Sequence, residues 1–346
     1  MIDKTSGSSV RAWVVASLLL FPSLAAAQTR PPDLTSYALA RDSAYPMPVN
    51  NSHIAFTIPE KDLLAENVAF NPLDSSFFVG STRHGKVVRR TRDGRISDFI
   101  PGGRDGLWMV VGMKVDPARK ALWVNTSAQG NYVNLKPEEQ GRAALFRYDL
   151  DGRLSKKYVP RERGDHFFND VVVASDGIVY LTDMIAGAIY RIARGDSLEL
   201  WVGPRTLADP NGLTASPDGK QLFIASDSGI SVVNVATRAV DILRPAEGID
   251  PLGIDGIYWH NGALIGVQGG RRNRVQRFVI DVPGKRITSA EVLEANHPMF
   301  MNPTTGVVVG SDFFYIANSQ FGSFRRGQLF PSSRLFETVI LRLPLN

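Results

Sequence analysis

The chain has 346 residues, 44% hydrophobic and 21% charged, a globular composition with enough apolar material for a large core. It has no cysteine, which excludes disulfides, thiolate metal sites and thiol nucleophiles. A formal net charge of +5, spread along the chain, argues against a nucleic-acid partner; the one tight basic cluster, Arg271-Arg272-Asn273-Arg274, sits in a Gly-rich stretch and reads as a solvated loop.

In chain order, Lys4 and Arg11 make a basic start, Ala12 to Phe21 is a short apolar run, and Ala25-Ala26-Ala27 offers a small-residue cleavage site. That is the layout of a secretory signal peptide over residues 1–27. It predicts a periplasmic or secreted protein with no stable membrane insertion after cleavage. Residues 28–52 are rich in Pro, Ser and Asn and read as a surface leader, partly disordered. From about Ile54 onward, short runs of Val, Ile, Phe, Tyr and Leu alternate with turns rich in Gly, Asp, Asn and Pro. No dozen residues hold a helical period; Leu63-Leu64-Ala65 and Lys136 to Gln140 are the candidates for brief helical turns.

Six repeats organise this region. Their first strands begin near Glu66, Gly112, Asn169, Asn211, Asp255 and Thr304, at spacings of 42 to 57 residues. Each is followed by a turn and a second apolar run, as in Asn211-Gly212-Leu213-Thr214-Ala215, Ser216-Pro217-Asp218-Gly219 and Leu222-Phe223-Ile224. A third strand follows in every repeat, at Val87, Leu145, Ile189, Ile230, Val275 and Val339. Fourth strands are predicted over residues 96–100, 154–159, 198–202, 240–243 and 290–293. The sixth repeat reaches Asn346 without one, and Ile54-Ala55-Phe56-Thr57-Ile58 is placed to supply it. The predicted fold is therefore all-β: a six-bladed β-propeller over residues 53–346, its ring closed by an N-terminal strand completing the last blade.

In a propeller the starts of the inner strands converge at one end of the axis. Glu66, Asn169, Asn211, Asp255 and Thr304 or Thr305 share that position here, with Gly112 in the second repeat. Two carboxylates and two carboxamides form an all-oxygen set suited to a hard divalent cation, Ca²⁺ above all, with Zn²⁺ or Mn²⁺ as alternatives. Each residue alone reads equally as a turn cap; their shared register is what points to an ion, because buried carboxylates need a counter-charge.

Glu66-Asn67-Val68-Ala69-Phe70, Phe168-Asn169-Asp170, Pro210-Asn211-Gly212-Leu213 with Ser216-Pro217-Asp218-Gly219, and Asp255-Gly256-Ile257 together resemble the landmarks of the SMP-30/gluconolactonase/LRE-like family, over about residues 60 to 320. The resemblance implies a lactonase or related ester hydrolase holding one divalent metal in the channel. It implies Glu66, Asn211 and Asp255 as metal ligands, Asp255 also as catalytic base, and Asn169 contacting substrate or completing the metal shell. Two departures stand out. The position where the family's sugar lactonases carry a substrate-binding Arg is Phe167, and Asn67-Val68 replaces a Gly-Pro. Phe167 and the adjacent His166 are therefore read as substrate-side residues, His166 as an auxiliary proton carrier. With Trp108, Met109, Met299, Phe300 and Met301 at other inlet loops, they suggest a substrate less polar than a sugar lactone.

The expected function is an exported, metal-dependent hydrolase that opens a small-molecule lactone or ester by a polarised carbonyl and activated water, acting as a monomer. No Gly-x-Ser-x-Gly elbow is present, which argues against an acyl-enzyme. The alternative is a non-catalytic secreted propeller that binds or scaffolds and keeps a structural metal. A strictosidine-synthase-like condensation enzyme fits the Asn/Asp set less well.

Overall fold

The computed structural model describes residues 42–325 and 328–345. The expected signal peptide and the first part of the leader lie outside the described residues. Among the described residues, no helix is long and apolar enough to cross a membrane.

Six antiparallel sheets follow one another around a ring, each a meander of four strands running outward from the axis. The innermost strands are Ala65–Asn71, Met109–Asp116, Phe168–Val173, Leu213–Ala215, Ile254–His260 and Gly306–Val309. In the sixth blade the order from the axis is Gly306–Val309, Asp312–Ile316, Thr338–Pro344 and then His53–Ile58. The N-terminal strand thus closes the ring, pairing from His53 opposite Arg342 to Ile58 opposite Thr338. Closure covers the outer edge of Thr338–Pro344 with the N-terminal strand.

Period-two alternation explains how the blades adhere. In each second strand, neighbouring residues face opposite neighbours around the ring. Phe78 packs toward the second blade with Val110, Leu122 and Phe146, while Phe77 and Val79 pack toward the sixth with Val307, Ile316 and Ile340. The same division runs through Trp123 and Leu122, Leu181 and Tyr180, Phe223 and Ile224, and Leu264 and Ile265. Each of the six blade-to-blade seams is filled by its own apolar cluster. At the closure seam Phe77 lies 5.1 Å from Phe56 and 5.0 Å from Phe314, ring centre to ring centre.

Some local features differ from the sequence expectations. A 3-10 turn covers Pro137–Glu139, but Leu63 and Leu64 are not helical: Leu64 takes a φ of 46° and leads straight into the inner strand. The fifth blade gains a fifth strand, Arg244–Pro245, parallel to Arg286–Ile287. Leader residues 42–52 lie along the fifth blade, where Val49 bridges Ala295. Asp42 pairs with Arg274 at 2.8 Å, both side chains under a tenth exposed. Asn296 accepts from the Asp42 amide at 2.8 Å and donates to the Tyr45 carbonyl at 2.7 Å, and Glu294 accepts the Ser52 amide at 2.7 Å. The Arg271–Arg274 cluster is therefore not simply solvated: Arg274 is buried as the anchor of this strap, and Arg272 pairs with Asp250 at 2.6 Å.

Candidate metal and substrate centre

The inner strands share an irregularity at their upstream ends. Their pairing with the second strands breaks between Ala65 and Val68, Val110 and Met113, Phe168 and Val171, and Ile254 and Ile257. Two consecutive residues occupy each break, as in a β-bulge. These are Glu66-Asn67, Val111-Gly112, Asn169-Asp170 and Asp255-Gly256; Asn211-Gly212 and Thr304-Thr305 precede the two shorter inner strands. The chain groups freed there are satisfied between blades. Gly212 donates to the Asp255 carbonyl at 2.9 Å, Thr182 Oγ1 to the Asn211 carbonyl at 2.7 Å, and Asn125 Nδ2 to the Asp170 carbonyl at 2.9 Å. Thr304 and Thr305 both donate to the Glu66 carbonyl, at 2.9 and 2.5 Å. The backbones approach so closely that only glycine fits at two of these positions: a Cβ on Gly112 would lie 2.3 Å from the Asn169 carbonyl oxygen, and one on Gly212 2.4 Å from that of Asp255.

This packing gathers charge on the axis. Burial pushes the Glu66 carboxyl well above its usual range, and the nearby Asp255 and Asp170 push it further. Burial also raises Asp255 to about 7, with Asp170 adding and a hydrogen bond from Asn211 opposing. Asp170 is raised to about 6 by burial, against the amides of Val171 and Leu213 and the charge of Lys114. Glu66, Asn211 and Asp255, which the sequence singled out, are thus linked through Asp255. Asn211 Oδ1 is buried with no hydrogen-bond partner. An acceptor-only oxygen left bare beside mutually repelling carboxylates is what a divalent cation satisfies, so these residues fit such an ion.

Three further residues belong to the axis and escaped the sequence reading: Asp170, Lys114 and Tyr258. Each carries a shifted pKa; burial lowers Lys114 and raises Tyr258, and Asp170 is the main charge acting on both. A charged residue amid Met113-Lys114-Val115 and the second residue of Asn169-Asp170 were the available signals.

Asn169 sits on the axis, 3% exposed, with its carbonyl against Gly112. Phe167 and His166 do not join it. Phe167 is 2% exposed in the seam between the first two blades, in a cluster with Trp108, Tyr132 and Met184. His166 is held at Nδ1 by Asp183 at 2.6 Å and at Nε2 by the Glu162 carbonyl at 3.2 Å. Trp108, Met109 and Phe300 are likewise buried in seams. At the rim of the first blade, ligand atoms of Glu60, Asp62 and His84 lie within 4.8 Å of one another. That cluster already carries cations: Lys86 lies 2.5 Å from Glu60, and Arg83 4.0 Å from Asp62.

No family model matches the chain, and no curated protein matches it in sequence. Solved structures do match. A gluconolactonase from Xanthomonas campestris superposes with a TM-score of 0.59 and 17% identity, covering 86% of this chain and 96% of the other. A calcium-binding protein, regucalcin, from Agrobacterium tumefaciens gives a TM-score of 0.57 and 15% identity over 84% and 93%. A virginiamycin B lyase from Staphylococcus aureus gives 0.56 and 15% over 83% of each chain. These likenesses establish the fold. The six-bladed propeller read from the repeats is the fold of this chain.

Proposed function

We propose that this protein is an exported, divalent-metal-dependent lactonase whose centre is Glu66, Asn211 and Asp255. The observation that supports it most is the bare, buried Asn211 Oδ1 beside the Asp255–Glu66 carboxyl pair. The gluconolactonase and the calcium-binding regucalcin on the same fold agree with it. A divalent cation, Ca²⁺ by preference, held by these residues supplies Lewis-acid polarisation of the lactone carbonyl.

The chain's own residues do the rest. With the bound cation's charge offsetting the burial that raises its carboxyl, Asp255 is held ionised, ready to accept a proton. It takes a proton from the attacking water as the new C–O bond forms. As the ring ester bond breaks, Asp255 returns that proton to the departing alkoxide. Asn211 orients Asp255 by hydrogen bonding, and Asn169 is assigned to the substrate. Since Phe167 is packed in a seam, no side chain at that position reaches sugar hydroxyls, which favours simple lactones. The same observation favours the second reading, a non-catalytic binding propeller with a structural ion.

A panel of aliphatic and sugar lactones separates the two. Purified protein should hydrolyse at least one lactone, lose that activity in EDTA, regain it with Ca²⁺, Zn²⁺ or Mn²⁺, and lose it in Asp255→Ala. Hydrolysis that ignores EDTA, or none across the panel, refutes the lactonase reading.

A further inference from the structure

The central channel holds a cavity of about 340 Å³ that does not include Glu66, Asn211 or Asp255. Its walls are the downstream parts of the inner strands, from Asn67 to Phe70, Met113 to Val115, Asp170 to Val172 and Gly306 to Val309. They continue to Pro72, Pro117 and Gly310, in the turns that leave those strands. The cavity therefore faces the end of the channel opposite the inlet loops. Its size is at the small end of ligand pockets, which span about 300–1,000 Å³.

Its polar atoms are few and unevenly satisfied. Asn67 is 3% exposed; its Nδ2 donates to Thr305 at 3.1 Å, and its Oδ1 has no partner. Lys114 forms no salt bridge among the described residues, and its nearest opposite charge is Asp170. Both Asp170 oxygens are already engaged, by the Val171 amide at 2.8 Å and the Leu213 amide at 3.2 Å. The Tyr258 oxygen accepts the Gly306 amide at 2.6 Å, and its own hydrogen goes to the Thr305 hydroxyl, whose hydrogen is spent on the Glu66 carbonyl. The other walls are mostly aliphatic, including Val68, Ala69, Val172 and Val307. The cavity thus offers an ammonium as donor, one bare carboxamide oxygen as acceptor, a carboxylate with both oxygens engaged, and apolar sides.

That inventory matches a short-chain hydroxy carboxylate. The carboxylate takes the Lys114 donors, the alkyl chain lies on the aliphatic walls, and the hydroxyl donates to Asn67 Oδ1. We infer that this end of the channel is a second site, one that binds hydroxy acids and releases the product of lactone opening through the mouth opposite the inlet loops. The inference builds on the lactonase reading, since ring opening yields such an acid. It also fits the chemistry of the product: a lactone is neutral, its product anionic, and Lys114 lines this cavity beside an Asp170 carboxylate whose two oxygens are already engaged.

The test is binding to EDTA-treated protein, with 4-hydroxybutanoate and butanoate as probes, by calorimetry and ligand-observed NMR. Wild type should bind 4-hydroxybutanoate more tightly than butanoate. Lys114→Met should weaken both by about tenfold or more, the loss of one charge-assisted hydrogen bond. Asn67→Leu should keep carboxylate binding and remove the preference for the hydroxylated probe, and Asp255→Asn, which takes a negative charge off the axis, should not weaken binding. Circular dichroism confirms that each variant is folded, and Lys114→Arg, which keeps the charge, should retain most of the affinity. Equal binding by Lys114→Met, binding abolished by Asp255→Asn, or no binding of either probe overturns the second site. A protein that binds the acid through Lys114 but opens no lactone contradicts the reaction alone. One that opens lactones and binds the acid independently of Lys114 contradicts this site alone.

Discussion

Replacing Asp255 by Asn should stabilise the protein when no metal is bound. The folded chain holds the Asp255 proton up to about 7, whereas the unfolded carboxyl releases it near 3.8. A raised carboxyl of this kind costs nothing at low pH, where both states are protonated. It costs progressively more as pH climbs from the unfolded value to the folded one. Moving a carboxyl from 3.8 to about 7 corresponds to about 4 kcal/mol at full development. Glu66 and Asp170 share the repulsion, so a single replacement should recover about 2–4 kcal/mol. Asn keeps the side chain's size and removes the charge. In urea unfolding with EDTA, the variant should match wild type near pH 4 and exceed it by that margin at about pH 8. Added Ca²⁺ at 100 times its Kd should raise wild type by about 2.7 kcal/mol and leave the variant unchanged. A variant less stable than wild type at high pH in EDTA refutes the claim that uncompensated carboxylates strain the axis.

Ile58, 1% exposed in the closure seam, should cost about 2–5 kcal/mol when cut to Ala, read as a lower urea midpoint; a loss under about 1 kcal/mol denies the closing strand its part in the ring. Gly212→Ala forces a Cβ to within 2.4 Å of the Asp255 carbonyl oxygen and should cost about 1–3 kcal/mol while weakening Ca²⁺ binding in calorimetry. His166 is raised above 6.5: burial alone lowers it, but the Asp183 carboxylate more than offsets this. Its contribution is fully present below that value and is lost as pH rises through the folded value. The stability difference between wild type and His166→Asn should therefore be largest near pH 5.5 and shrink toward pH 8, by urea unfolding.

The blades were legible because every repeat states the same pattern: an alternating run, a turn such as Ser216-Pro217-Asp218-Gly219, and a second run. Ring closure was legible because the sixth repeat lacks a fourth strand while Ile54–Ile58 has no partner in its own neighbourhood. The axis was only half legible. A regular strand presents one residue per level, so each repeat yielded one candidate; the bulges place two consecutive residues there, and Asp170 was passed over for Asn169. Lys114 and Tyr258 lie further along their strands, where apolar neighbours made them look like ordinary wall residues. What the sequence did not show for Phe167 and His166 is the cross-strand hold of Asp183, which accepts the Phe167 amide at 3.0 Å and binds His166 Nδ1 at 2.6 Å. The leader's anchor was out of reach for the same reason: Asp42 and Arg274 are 232 positions apart.

The central claim is that Glu66, Asn211 and Asp255 hold one divalent cation on the axis. Calorimetric titration of Ca²⁺ into EDTA-stripped, dialysed protein tests it most directly. Wild type should bind one ion per chain at the axis, with Asn211→Ala, Glu66→Gln and Asp255→Asn each losing that ion while remaining folded, and Glu60→Gln retaining it. Binding that survives all three axial replacements, or that disappears with Glu60→Gln, contradicts the account.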